Sequence, residues 1–219
     1  MELAGHDATK GAMFWQRLLG RNNANPDVQV ASLAHKLPIS SRSQWAVADS
    51  GVETSDGERH GFLLSFRVVS TDYFATLGFH IVRGRGLSAE DVAGTPRVIV
   101  INETMAERLW PGQDPIGRAL DNGRDQFEVV GIAADAVYHD LHEPTPGFGF
   151  LPLAQNYHEQ MLLHARLLFD DAAAVQQLWV GWLDFDPLAP VMNFARLDER
   201  FRCRFLTVLG RSYLVASYA

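Results

Sequence analysis

The feature that most constrains the fold is the unbroken apolar β-branched run Val98–Ile101. Such a run predicts a strand buried on both faces, because a strand with one solvated face alternates apolar and polar residues. Asn102 follows at once and predicts the N-cap of a helix that continues to Leu109. The segment Trp110-Pro111-Gly112 predicts the end of that helix. This part of the chain therefore requires a sheet that is covered on both sides.

Hydrophobic periodicity predicts the remaining elements and, from their order, an α+β fold. A short helix that carries Tyr73, Phe74 and Leu77 is expected between a Ser70–Asp72 cap and a stop at Gly78. Each end of the chain supplies half of a βαβ layer, and the middle is expected to be an insertion with a sheet of its own. Further helices are predicted at 12–19 and 172–183 and as a polar helix after 194; strands are predicted at 28–34, 62–69, 79–83, 97–101, 127–133, 162–169 and 190–194, with one more near 45–47 inside a loop over 38–60.

Composition narrows the class of protein. The chain has 219 residues, 47% of them hydrophobic, which is enough to bury a core without disulfides. Its net charge of −7 argues against a domain that coats nucleic acid, since such domains are basic. The single cysteine, Cys203, excludes an internal disulfide. We find neither a 20-residue apolar span nor a signal peptide, so the chain alone is expected to stay where it is made.

Candidate catalytic and binding residues are few, and each has a simpler structural explanation. Gly84-Arg85-Gly86 has two of the three glycines of a dinucleotide-binding loop, and a turn explains it better. His139 and His142 have the spacing of metal ligands on a helix, with Asp135, Asp140 and Glu143 nearby. Pro144 and Pro146 disfavour a helix there, so a solvated loop is the preferred interpretation.

Nucleophilic catalysis has no better candidate. Cys203 lies between Arg202 and Arg204, which would lower a thiol pKa if the three were close in space, but no histidine is near in sequence. Trp179 and Trp182 fit the apolar face of a helix. From the sequence pattern alone we therefore predict no catalytic, cofactor-binding or metal-binding site. We also expect no cofactor and no enzyme activity.

An ordered series of motifs resembles a known family, the periplasmic core domain of MacB-type, FtsX-like ABC transporter permeases. Within that family the chain looks most like the duplicated orphan permeases of acidobacteria. The resemblance is dense from Val69 to Gln155. It is carried by VSTDYFATLGF (69–79), RGRGLSAED (83–91), PRVIVINETMA (96–106), RLWPGQDPIG (108–117), FEVVGIAAD (127–135) and LPLAQ (151–155).

The resemblance implies a division of the chain. Residues 12–36 together with 156–200 correspond to a split, porter-like βαβ subdomain, and residues 37–155 correspond to an inserted mixed α/β subdomain. Residues 201–219 resemble the remnant or altered entrance of a transmembrane helix, where Arg211 interrupts the apolar run after Phe205–Gly210. The chain is thus expected to be a fragment or altered product of a longer gene.

The resemblance also implies a function. It predicts a non-catalytic extracytoplasmic domain, at the periplasmic face of the inner membrane, that couples the motion of membrane helices to a substrate or an adaptor protein. Its partners would be the transmembrane helices and ATPase domain of the parent permease and a membrane-fusion adaptor, with no nucleic acid. A stand-alone binding protein that uses the cleft between the subdomains is the alternative, and a hydrolase with a metal at His139 and His142 is a third hypothesis.

Overall fold

One mixed sheet organises the part of the chain that the computed structural model describes, which is residues 8–36, 65–121, 124–135, 147–158, 160–168, 176–178, 195–196 and 212–217. The helices are α1 (Ala8–Asn23), α2 (Tyr73–Leu77) and α3 (Glu103–Leu109), and residues 176–178 are also helical. The strands are β1 (Val28–Ala34), β2 (Ser65–Val69), β3 (Ile81–Gly84), β4 (Val98–Asn102), β5 (Ala119–Asp121), β6 (Gln126–Ala133), β7 (Phe148–Pro152), β8 (Leu162–Leu167), β9 (Ala195–Arg196) and β10 (Ser212–Ser217).

The strand order confirms the α+β class. The ten strands run β3-β6-β4-β7-β2-β1-β8-β10-β9, with β5 beside β6. The β2–β7 and β4–β6 pairs are parallel, and the other pairs are antiparallel. The expectation that the middle of the chain has a separate sheet is wrong, because β2 pairs with β1 at Ala34 and Val69 and makes the sheet continuous.

The outer strands contain a split βαβ arrangement. Strands β8 and β9 are both antiparallel to β10, which lies between them, so β8 and β9 run in the same direction. The helical residues 176–178 lie between β8 and β9 in sequence. Strand β10 shows that residues 212–217 extend the sheet, whereas 205–210 lie outside the described residues. The domain boundaries implied by the family resemblance stay a prediction.

Side-chain alternation divides the interior into three cores on two faces of the sheet. Paired Ala34 and Val69 lie on one face, with α2. Leu33 and Phe66, at alternate positions, lie on the other face, which α1 and α3 share. The α1 core comprises Trp15, Leu18, Val28, Ala31, Leu33, Met161, Leu163, Ala165, Leu167 and Leu178. The α2 core includes Tyr73, Phe74, Leu77, Val98, Val100 and Phe150, and the α3 core includes Ile99, Ile101, Met105, Leu109, Trp110 and Phe127.

The predicted strand–helix unit is confirmed. Every residue of β4 is buried. The Asn102 Oδ1 accepts the Met105 backbone N–H at 3.1 Å, which is the predicted cap, and also accepts the Phe148 N–H at 2.8 Å. Trp110 ends the helix and is buried in the α3 core. One asparagine therefore joins β4, α3 and the start of β7.

The short helix α2 ends as predicted but begins differently. Gly78 has a φ of 74°, the left-handed conformation expected of its C-terminal glycine. The Asp72 side chain makes no capping hydrogen bond, so that part of the prediction is wrong. The Ser70 hydroxyl instead accepts the Leu33 N–H at 2.8 Å, and Thr76 donates its hydroxyl to the Asp72 carbonyl at 2.8 Å. The Ser70 side chain thus stabilises the β1–β2 junction, and the Asp72 carbonyl accepts a hydrogen bond from within α2.

Several predicted elements lie outside the described residues: the strands near 45–47 and at 190–194, most of the helix at 172–183, and the polar helix after 194. The helix at 12–19 is confirmed within the longer α1. The strands predicted at 28–34, 62–69, 79–83, 127–133 and 162–169 are confirmed, with small differences at their ends.

Replacing Asn102 with alanine is expected to lower the free energy of unfolding by about 2 kcal/mol. Loss of an N-cap typically costs about 1 kcal/mol, and the buried Phe148 N–H loses its acceptor as well. Urea unfolding would measure the change. Asn25→Ala is the control, because in the described part of the chain that side chain accepts only the local Asp27 N–H, and its effect should be clearly smaller. Equal effects would contradict the role given to Asn102.

Candidate functional site

A pocket opens where the α1 and α3 cores meet on their shared face of the sheet. Its volume is about 180 Å³. Its walls are formed by side chains of β2, β6 and β7, of the residue before β6, and of the segments that follow β1 and β7. We call it the central pocket, and its lining residues are His35, Phe66, Asp125, Phe127, Leu151, Asn156 and His158. Mostly apolar walls with a few polar groups are typical of a binding site.

Two histidines meet at the central pocket. The His35 and His158 rings have centroids 4.9 Å apart and are tilted by 40°. Nδ1 of His35 accepts the Val68 backbone N–H at 2.8 Å, so the neutral ring carries its proton on Nε2. The pKa of His35 is lowered to about 4, chiefly by burial and to a smaller extent by the neighbouring His158. His35 is therefore neutral near pH 7 and presents an N–H donor.

A short loop beside the pocket connects the α1 core with the middle of the chain. We call residues 153–158 the bridging loop. The Gln155 side chain accepts the Val98 N–H at 3.1 Å and donates to the Pro96 carbonyl at 2.9 Å. At the other side, the Tyr157 hydroxyl fills the space that a Cβ at Gly11 of α1 would need. The bridging loop thus touches α1 and the β4 segment at the same time.

An ion pair lies at the edge of the pocket. The Arg97 guanidinium is 3.4 Å from the Asp125 carboxylate and 3.4 Å from Oδ1 of Asn156. It also lies over the Phe127 ring, 5.9 Å from the centroid. Both charged side chains are well exposed, so this pair contributes little to stability. Its effect is to balance the one carboxylate of the lining.

A second polar cluster is buried on the opposite face, under α2. Ser32 of β1 and His164 of β8 are register partners, and both are fully buried. Among the described residues, neither ring nitrogen of His164 nor the Ser32 hydroxyl has a hydrogen-bond partner. Burial, reinforced by the Arg67 charge, lowers the pKa of His164 to about 3. Burial raises the pKa of Tyr73, and the Arg67 guanidinium opposes that shift. This cluster keeps a histidine uncharged in the interior.

The residues singled out from sequence do not meet at the central pocket. Gly84 ends β3 with a φ of 69°, and its backbone lies against the Val130 carbonyl, as a turn glycine does. Asp135 accepts hydrogen bonds from Asn102 at 2.7 Å and from the Thr104 hydroxyl at 2.6 Å. His139, His142 and Cys203 lie outside the described residues, as do Trp179 and Trp182. Within the described ranges no three His, Cys, Asp or Glu side chains are grouped as metal ligands.

The pocket histidines were not predicted. His35 follows a strand and His158 follows a proline-containing segment, and 122 positions separate them in sequence. The pairing of β1 with β2 and of β2 with β7 brings the segments that carry His35 and His158 together. The one available signal was the change from strand to loop at each position.

Comparison with known proteins identifies the family. The family model of the MacB-like periplasmic core domain matches residues 6–178, which is most of the chain. The chain belongs to the MacB-like periplasmic core domain family. This confirms the family resemblance of the motif series, although not its acidobacterial orphan-permease detail.

Individual relatives of this MacB-like domain are distant. An uncharacterized ABC transporter permease, YvrN, from Bacillus subtilis is 31% identical over 64 residues, 29% of this chain and 16% of that protein. The macrolide export ATP-binding/permease protein MacB of Mannheimia succiniciproducens is 22% identical over 114 residues, 52% of this chain and 16% of that protein. The chain thus spans less than a fifth of these relatives.

The solved structures support the fold of the MacB-like domain. The periplasmic region of MacB from Actinobacillus actinomycetemcomitans aligns with a TM-score of 0.54 and 14% identity, covering 77% of this chain and 72% of that one. In the described part of the chain, no helix has the length and apolar character needed to cross a membrane.

Proposed function

We propose that the chain is the non-catalytic extracytoplasmic domain of an ABC transporter permease, which couples the motion of membrane helices to a substrate or adaptor protein outside the membrane. The match of the family model to residues 6–178 carries this proposal. Its partners would be the transmembrane helices and ATPase domain of the permease, with a membrane-fusion adaptor as the external partner. The acidobacterial orphan-permease affiliation is the finer part of the same proposal. Because orphan permeases often lack an evident adaptor, it predicts a permease gene without an adjacent adaptor gene, and the external partner would then be the substrate alone.

The bridging loop supports a coupling role. A domain that transmits motion needs contacts that link its parts. Tyr157 packs against Gly11 of α1, and Gln155 holds the backbone at Pro96 and Val98. Displacement of α1 would therefore act on the β4 segment through one short loop.

The coupling proposal predicts a motion that depends on nucleotide. In the permease that carries this domain, reconstituted in liposomes with its ATPase, Cys203 would be replaced by serine and Glu107, exposed on α3, by a labelled cysteine. Energy transfer from this label to headgroup-labelled lipid should change between the ATP-bound and ADP-bound states. An efficiency that is the same in both states would contradict coupling.

Tyr157→Ala tests the route of that coupling. We expect it to reduce the change in energy transfer by about half or more while ATP hydrolysis persists, since it removes the contact between the bridging loop and α1. Phe79→Ala is the matched control, because Phe79 is also partly buried but packs against the α2 core. If both variants reduce the change equally, the bridging loop is not the route.

A stand-alone binding protein is the second candidate, and the central pocket between the cores favours it. The genomic sequence on both sides of the coding region separates the two functions. Flanking segments that encode membrane spans and a nearby ATPase support the permease, whereas their absence supports the binding protein.

The non-enzyme part of the proposal predicts no bound metal. Purified protein should contain less than about 0.1 zinc or iron per chain, and the double variant His139→Ala, His142→Ala should fold and bind metal as the unaltered chain does. The reason is the proline-rich sequence around these histidines, which disfavours a ligand-bearing helix. Elemental analysis measures the metal content, and a stoichiometric metal that the double variant loses would overturn the non-enzyme proposal and favour the metallohydrolase hypothesis.

A further inference from the structure

We propose that the central pocket binds a compact aromatic carboxylate whose carboxylate group accepts a hydrogen bond from Nε2–H of His35. This site is independent of the transport function, since it is defined by the pocket of this chain alone. Three observations lead to the ligand class: the hydrogen-bonding state of His35, the charges around it, and the size and walls of the pocket.

The hydrogen bond of His35 determines what its ring offers. Nδ1 accepts the Val68 N–H at 2.8 Å, so the proton of the neutral ring is on Nε2. Among the described residues Nε2 has no hydrogen-bond partner, and His35 lines the pocket. A ring in this state presents a donor in place of the lone pair that a metal ion requires. The complementary ligand atom is a hydrogen-bond acceptor.

The charges near His35 favour an acceptor with negative charge. His158, Lys36 and Arg67 each oppose a positive charge on His35, and among the described residues no acidic side chain is one of the groups that act on it. The carboxylate of the pocket lining, Asp125, forms an ion pair with the Arg97 guanidinium at an N–O distance of 3.4 Å. An anion placed at Nε2 therefore meets a positive surrounding, whereas a cation would be repelled.

The pocket walls select a small ring. The volume of about 180 Å³ is below the 300–1,000 Å³ range of pockets for drug-sized ligands. An apolar cavity of about 150 Å³ accommodates benzene, so one six-membered ring with a carboxylate fits here. Phe66, Phe127 and Leu151 supply the apolar walls, and aromatic rings pack favourably against two phenylalanines.

Calorimetry with benzoate as the probe tests the proposal on this chain. We expect benzoate to bind with a Kd of about 1 mM or tighter, and benzylamine, with a similar ring and the opposite charge, to bind at least tenfold more weakly. Histidine ring ¹⁵N spectra of the unaltered protein should show the Nε2–H form of His35, with its signals shifting as benzoate is added. Any of three results would overturn the proposal: no detectable binding of benzoate, equally tight binding of benzylamine, or binding of zinc through His35.

His35→Asn is the decisive variant. The Asn Oδ1 replaces Nδ1 as the acceptor of the Val68 N–H, while the donor at Nε2 is lost. We expect at least tenfold weaker benzoate binding, and unchanged binding for His80→Asn, which makes the same substitution at an exposed histidine. Leu151→Phe narrows the pocket and leaves the His35 side chain unaltered, so it should also weaken benzoate binding. This variant tests the site if His35→Asn does not fold. Unchanged affinity in the folded pocket variants would contradict the proposal, and that failure would leave the transport proposal standing.

Discussion

Replacement of Trp110 by alanine is expected to lower the free energy of unfolding by about 3–5 kcal/mol, the usual effect of removing a buried large aromatic side chain. Trp110 is 4% exposed and belongs to the α3 core, where it ends the capped helix α3. A loss of this size is a large fraction of the stability of a typical domain. Urea unfolding would measure it, and a change below about 1 kcal/mol would show that the ring is not part of the core.

A matched substitution in the α1 core tests how far this loss spreads. Trp15 is 2% exposed and is a tryptophan of the α1 core. Under native conditions, Trp110→Ala should increase amide exchange mainly in β4 and β6, and Trp15→Ala mainly in β1 and β8. If each variant raises exchange equally in all four strands, the domain is one cooperative unit and the predicted division into two subdomains fails.

Acid is expected to destabilise the protein through His164. Its pKa is about 3 in the folded chain, against 6.5 for the free side chain, so only the unfolded chain binds the proton between these values. The stability from His164 is complete above pH 6.5 and is lost as the pH falls toward 3. The full slope is 1.36 kcal/mol for each pH unit, and the unfolded side chain is half protonated at pH 6.5, so the loss from this residue between pH 6.5 and 4.5 is about 2 kcal/mol.

His164→Phe isolates this contribution. It removes the titrating group while it keeps a ring in the buried site, so the drop in unfolding free energy from pH 6.5 to 4.5 should shrink by about 2 kcal/mol. Carboxylates titrate alike in both proteins and cancel in the comparison. The exposed His80, changed to phenylalanine, should leave the drop unchanged. If the unfolding free energy falls equally between pH 6.5 and 4.5 in the His164→Phe variant and in the unaltered chain, His164 is not the source of the acid sensitivity. His35 acts in the same direction, with a smaller effect because it is only partly buried.

Sequence predicts this fold best where local signals and burial agree. The apolar run of β4 and the cap at Asn102 specify one strand and one helix without information from distant residues. Ser70 and Asp72 show the limit, since both can cap a helix and tertiary contacts decide which bonds form. The Ser70 hydroxyl accepts the Leu33 N–H, 37 positions away, so only the Ser70 backbone carbonyl bonds to the start of α2, at the Tyr73 N–H.

The candidate site was out of reach for the same reason. The central pocket depends on the pairing of strands distant in sequence, which places His35 beside His158. A histidine at the end of a strand has no local pattern that distinguishes it from a surface residue. The buried His164 is similar, because only its position in a central strand under α2 shows that it is uncharged.

The narrow junction between β1 and β2 has a consequence for how this domain can diversify. Only Ala34 and Val69 are register partners there, and the Ser70 hydroxyl takes the place of a backbone acceptor for Leu33. A replacement for the middle of the chain needs to reproduce this short seam, and the packing of α2 on β1 and β8, to be continued by the outer strands. Recombination could therefore exchange the middle of the gene as a module while the flanking strands keep their own hydrogen-bonded framework.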